Sequence, residues 1–267
     1  MIVNEVINIA SVFDAKGFKQ AETSAQKLTR TAKNLALSLG VAFSTARVIG
    51  FAKQSVKAAI DAQAQQDRLT KLMQVSVNAS FDQIDALDQQ AIALEKIGVV
   101  TKGNITQTQS QLATFNLQAS TIRKLTPAIL DYVTAEKGAT ASTEQFKQMT
   151  NGLAQALNGN FTSLTRVGFV IDEVTRNTIK NGSEAERTAA LVAVLDSTYK
   201  GFNESLRDTP VGQMQILANA ANNAKEIIGT GLLDALIALG KDKSVENLAN
   251  NMERVAFYTS DVVNGIS

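Results

Sequence analysis

The sequence predicts an all-α fold on three grounds. Between Ala21 and Ile60 the small and apolar residues step by alternating fours and threes, through Ala21, Ala25, Leu28, Ala32, Leu35, Leu39, Ala42, Ala46, Ile49, Val56 and Ile60, with only Lys53 breaking the frame. Those are the a and d positions of successive heptads, so a helix carrying them has one narrow apolar seam. Across 267 residues there is no Cys, His or Trp, only two Pro, and 5% aromatics, a balance that disfavours disulfide-stapled and sheet-rich folds. Helix-opening pairs recur downstream: Ser80 with Gln83, Ser142 with Gln145 and Ser183 with Glu186 have capping-box spacing. We therefore expect a long N-terminal heptad helix after one short strand, a central helical bundle domain and C-terminal amphipathic helices. The expected boundaries are 1–14 for the strand, 15–79 for the basic coiled-coil-like helix, 80–207 for the compact helical domain and 208–267 for the amphipathic helices.

The strand rests on Val6, Ile7, Ile9, Val12 and Phe13, ending at Asp14, an N-cap for the helix that follows. The rod behind it contains no proline, and its weak points are Gly40 and Gly50, each costing about 1 kcal/mol relative to Ala. A seam of about 40 residues implies a rod on the order of 60 Å. The frame fails at Gln63 and Asp67 and apolar positions resume at Leu69, Leu72 and Met73, so the seam ends within Ala62 to Gln66.

Next comes a helix with Ile84, Leu87, Ala91 and Leu94, stopped at Gly98, then one with Leu112, Phe115, Ala119 and Ile122. Thr126-Pro127 reads as N-cap and first residue of another, ending near Gly138. Ser142 opens a helix with Phe146, Met149, Leu153 and Leu157, closed by Asn158-Gly159. Val167 to Ile171 is a β-like run that equally suits a buried turn, and Ser183 opens a helix with Leu191, Leu195, Thr198 and Phe202. Thr209-Pro210 starts a second heptad helix, Met214, Leu217, Ala221, Ala224, Ile228, Gly231, Ala235 and Ala238, ended by Gly240. A last amphipathic helix uses Leu248, Met252, Val255, Thr259 and Val262.

The formal net charge of +1 hides an asymmetry. From Ala15 to Ile60 eight basic residues face one acid, a net +7 that leaves −6 for the remainder. A basic rod suits an anionic surface, whether acidic protein, nucleic acid or lipid, although any exposed helix carries solvated charge. No basic region with a long apolar run opens the chain, and the best membrane candidate, Asn34 to Ala46, is 13 uncharged residues, where spanning needs about 20.

Chemistry finds little support. Without His or Cys the usual zinc, haem and iron–sulfur ligands are missing, as are Ser-His and Cys-His nucleophilic pairs. We expect no catalytic, cofactor-binding or metal residue, and no enzyme. Gly229-Thr-Gly231 lies in an apolar helical pattern with no preceding strand, unlike a phosphate loop. The carboxylate pairs Asp82 with Asp85 and Glu184 with Glu186 are explained by first-turn acids complementing a helix dipole. Glu204-Ser205 and Gly212-Gln-Met-Gln215 echo lytic transglycosylase pieces, at about half the separation that family uses. Phe43, Arg47 and Phe51 share a helix face but make a poor base-stacking platform, so no specific nucleic acid is expected.

Three stretches resemble the tail tape measure proteins of tailed bacteriophages. They are Leu153 to Gly168, where a helix ends at a glycine turn before Leu-x-x-x-Gly; Thr209 to Gly229, with its Gly-Gln-x-x-x-Leu-x-Asn run leading to Ile-Gly; and the opening strand with its basic heptad helix. Where many relatives place a proline after the Ile-Gly pair, this chain continues with Leu233-Asp234. The resemblance implies a virion structural protein, made in the host cytoplasm, that lies inside the tail tube, sets tail length during assembly and is released at DNA ejection. It implies parallel copies forming a homo-oligomer, and as partners the tail tube protein, tail assembly chaperone and tail tip proteins, with the host membrane at ejection. On this chain the self-association seam would be Leu28, Ala32, Leu35, Leu39, Ala46, Ile49, Val56 and Ile60. The residues facing an acidic tube would be Lys27, Arg30, Lys33, Arg47 and Lys57. The alternative is a membrane-active helical protein, a toxin or pore former, whose basic helix inserts beside anionic lipid; liposome flotation separates the two.

Overall fold

The computed structural model describes residues 45–166 and 169–239. Among them the chain is helical, with connecting turns and no strand, as the all-α expectation requires. The helices are α1 (Thr45–Val77), α2 (Phe81–Ile97), α3 (Lys102–Ala113), α4 (Ala119–Lys137), α5 (Thr143–Leu157), α6 (Thr162–Arg166), α7 (Glu173–Asn181), α8 (Glu184–Tyr199), α9 (Phe202–Ser205) and α10 (Pro210–Leu239), with a 3-10 turn at Leu206–Asp208. The expected strand at 1–14, the rod before Thr45, Gly240 and the last helix around Leu248 lie outside the described residues. Two compact units result: Gln63–Asn219, and a second described over 45–62 and 220–239.

The larger unit is built around α4, which packs against α2, α3, α5, α8 and α9. It buries Ile122, Leu125, Ile129, Leu130 and Val133 completely, and the same core takes Leu87 from α2, Ile105 and Leu112 from α3, Phe146 and Leu153 from α5, and Leu191 and Leu195 from α8. Leu69 and Met73, beyond the frame shift in α1, are fully buried here too.

Local chemistry sets the helix ends. At Ser80 the hydroxyl accepts from Gln83 N at 3.3 Å while Gln83 Oε1 accepts from Ser80 N at 3.0 Å. The same reciprocal box forms at Ser142 with Gln145 and at Ser183 with Glu186, each cap adding about 1 kcal/mol. Gly138 and Gly159, at φ 81 and 84, close α4 and α5 in the left-handed region that glycine enters without strain. Thr209 Oγ1 accepts from Gly212 N at 3.0 Å and caps α10, whose first residue is Pro210.

Three element boundaries differ from expectation. Leu112, Phe115, Ala119 and Ile122 do not share a helix: α3 ends at Ala113, and the chain turns through Asn116 at φ 58 before α4. Asn tolerates that left-handed conformation, so it breaks a pattern whose spacing alone reads as continuous. Thr126-Pro127 does not begin a helix but sits inside α4. Thr126 Oγ1 donates back to Ile122 O at 2.7 Å, and Gln90 Nε2, reaching from α2, donates at 2.7 Å to the Arg123 carbonyl, the group that a residue 127 N–H would otherwise satisfy. Phe202 leaves the helix of Leu191 and Leu195, because Gly201, at φ 78, starts α9 in a new direction. The β-like run contains no strand over its described residues: Ile171 is buried and Val170 is exposed.

In the smaller unit, α1 over 45–62 and α10 over 220–239 meet at a glycine. A Cβ on Gly229 would overlap the Ser55 carbonyl and press on Ala59, so the two helices approach backbone to backbone there. Ser55, Val56, Ala59 and Ile228 are buried at this crossing. Gly229 is therefore a packing feature of a helix.

Candidate functional site

Helix α1 carries those of the expected interaction residues that fall within the described chain. Ala46, Arg47 and Ile49 lie in its first turns, Val56 is buried and Ile60 is 47% exposed. Leu28, Ala32, Leu35, Leu39, Lys27, Arg30 and Lys33 lie outside the described residues. Lys57 is exposed and its ammonium lies 2.6 Å from Asp61 Oδ2, a surface i,i+4 pair worth a few tenths of a kcal/mol. Lys53, Arg68 and Lys71 are exposed as well. At 100° per residue Lys53 and Lys57, in the smaller unit, fall within about 40° of each other and opposite the buried line through Ser55 and Ala59.

The densest polar arrangement is elsewhere, around the peptide of Val99, between α2 and α3. Asn203 Oδ1 accepts from Val99 N at 3.1 Å, and Asn219 Nδ2 donates to Val99 O at 2.9 Å. Both asparagines are buried. Gln215 Nε2 donates to Asn219 Oδ1 at 2.8 Å, which fixes the amide with its NH2 toward Val99. Arg207 Nη1 donates to Lys96 O and, at 3.4 Å, to Gly98 O, taking up carbonyls at the end of α2. Asp131 on α4 accepts from Gly201 N at 2.8 Å and Asn203 N at 2.9 Å. Its carboxyl is held above the ordinary 3.8, mainly by burial and further by the charges of Asp196 and Glu204, against the pull of those two N–H groups. Two glycines make room: a Cβ on Gly98 would strike the Asn203 amide and one on Gly212 the Leu206 carbonyl. That packing accounts for the glycine of Gly212-Gln-Met-Gln215, while Glu204 is exposed on α9.

A groove of about 390 Å³ runs between the end of α4 and α5, floored by Tyr132, Met149, Leu153 and Leu164 and edged by Glu136, Lys137 and Gln148. Tyr132 stacks edge-on with Phe169 at 5.4 Å, and Tyr199 donates to Glu136 Oε1 at 3.0 Å. Burial pushes the Tyr132 phenol up to about 12, and burial with Glu136 raises Tyr199, so both stay protonated at neutral pH. Of the acid pairs, Glu186 completes its capping box, whereas Glu184 reaches across to accept from Gln118 N at 2.9 Å, at the start of α4.

Asn203, Asn219, Asp131 and Gln90 were not marked by sequence pattern. The signal available was only an uncharged polar residue where a helix turns inward, which many surface positions share. Among the described residues no group of three or more potential metal ligands converges, and no helix is long and apolar enough to cross a membrane. No family model, curated protein or solved structure matches the chain.

Proposed function

We propose that the chain is a tail tape measure protein, a structural part that lies within a phage tail tube, sets its length during assembly and leaves at DNA ejection. The observation that carries the reading is α1: 33 residues without a break, about 50 Å of helix, with Lys53, Lys57, Arg68 and Lys71 exposed on it. A lengthwise helix of this kind suits a part that measures, and its exposed cations suit an acidic lumen. The order of the three sequence stretches that resemble tape measure proteins supports the same reading. Self-association would use the heptad seam leading into α1, and tube contact the basic positions, Lys57 among them.

The test is to delete one or two whole heptads from 45–77 in the phage that carries the chain and to measure tails by electron microscopy. Tails should shorten by roughly 10 Å per heptad; unchanged length would sink the proposal. Association of the chain with tube protein should weaken as salt rises.

A further inference from the structure

We propose that residues Gly201–Asn219 form a releasable strap, a segment held across the α2–α3 connection by a polar clasp at Val99 and able to open while the rest of the Gln63–Asn219 unit stays folded. Three observations carry this. First, the polar contacts holding the strap are hydrogen bonds to backbone: Asn203 and Asn219 take the N–H and the C=O of Val99, Arg207 takes carbonyls at the end of α2, and Asp131 takes two strap N–H groups.

Second, the strap's helix is turned against the usual amphipathic sense. Its inward line is Gly212, Gln215, Ile216 and Asn219, while Val211, Met214 and Leu217 face outward at 56%, 68% and 54% exposure. A surface helix ordinarily does the reverse and is held by its apolar face. Here the heptad positions Met214 and Leu217 are bare while Asn219, on the opposite side of the same helix, is turned in to donate to Val99 O.

Third, the strap contributes no large apolar side chain to the fully buried core: Leu206 and Ile216 only lean on it. By contrast α4 alone buries Ile122, Leu125, Ile129, Leu130 and Val133 completely. Segments with few buried apolar contacts open locally, below the free energy of global unfolding. Opening would break the clasp and bare Val99 and Val100, which the folded state buries.

Native-state hydrogen exchange on the full chain tests this. Amides of 206–219 should exchange at least roughly tenfold faster than those of α4, and Asn219→Ala should speed the strap by about tenfold more while leaving α4 unchanged. Equal rates in strap and α4, or a variant in which both speed up together, would overturn the proposal. If Asn219→Ala cannot be purified, brief trypsin treatment of the native full chain decides. First cleavage after Lys200 or Arg207 is expected, and first cleavage within α2 to α5 would count against a strap.

Discussion

A single amide shows how a residue acquires a task that its own helix does not reveal. Pro127 strips α4 of the N–H that would bond Arg123 O, an exposed carbonyl, so the bond that replaces it is worth a net of about 0.5–1.5 kcal/mol. Gln90 repairs this from α2, and Gln109 Nε2, 3.4 Å from Gln90 Oε1, steadies the amide while donating to Leu87 O at 2.9 Å. Gln90→Leu should therefore destabilise the protein by about 0.5–1.5 kcal/mol in urea unfolding. The loss should shrink when Pro127→Ala restores a backbone donor, and additivity in that double-mutant cycle would disprove the repair. Asp131 makes a prediction of a different kind. Its carboxyl is raised in the fold, so the folded state binds the proton more tightly than the unfolded one. Its contribution is most favourable below the ordinary value of 3.8 and is lost as pH climbs through the raised value. Wild type minus Asp131→Asn, compared by melting temperature across that window, should fall with rising pH; a flat difference would show that Asp131 does not titrate in this way. None of these residues was legible beforehand, since Gln90 and Asp131 differ from solvent-facing neighbours only through partners 33 and 70 or more residues away.

At the scale of elements, what could be read ahead is what a short stretch of chain decides by itself. Ser80, Ser142 and Ser183 announced their helices because both partners of a capping box lie within four residues, and Gly138 and Gly159 announced the ends. Asn116 and Pro127 misled because spacing cannot separate one helix from two at Asn116, and a proline that looks like a beginning is tolerated when a neighbouring helix supplies the missing donor. Glycine in α1 and α10 divides the same way. Nothing lies within 4 Å of where a Gly50 side chain would sit, whereas Gly229 lies against the Ser55 carbonyl. Gly50→Ala should stabilise by about 0.5–1 kcal/mol, and Gly229→Ala should destabilise by about 1–3 kcal/mol through forced separation of the helices. Thermal melts of the two variants should move in opposite directions. The capping acids also oppose Asp131 in sign. Asp172 is lowered by the Thr175 N–H and hydroxyl, and Glu186 by Ser183, so what these exposed groups contribute is present above their ordinary values and lost as pH falls.

For the whole molecule, the apolar cluster formed by the described residues runs from Leu69 to Leu195 and lies within Gln63–Asn219. A fragment of those residues should fold alone, with a cooperative melt by circular dichroism within a few degrees of the full chain's main transition. A broad, non-cooperative melt would show that the flanking unit is required. The interior of this unit also contains something that hydrophobic pattern does not anticipate. On α3, Thr106, Thr108, Gln109, Ser110 and Gln111 are all buried, with Gln111 Nε2 donating to Asn151 Oδ1 at 2.7 Å. Greasy surfaces of similar size forgive a slip of one turn, because leucine meets leucine in either register. A helix lined with hydroxyls and amides does not: displaced, it strands its donors without acceptors. Filling those positions with aliphatic side chains would give a hardier protein but a less decided one, free to settle in several arrangements where the natural chain accepts a single seating.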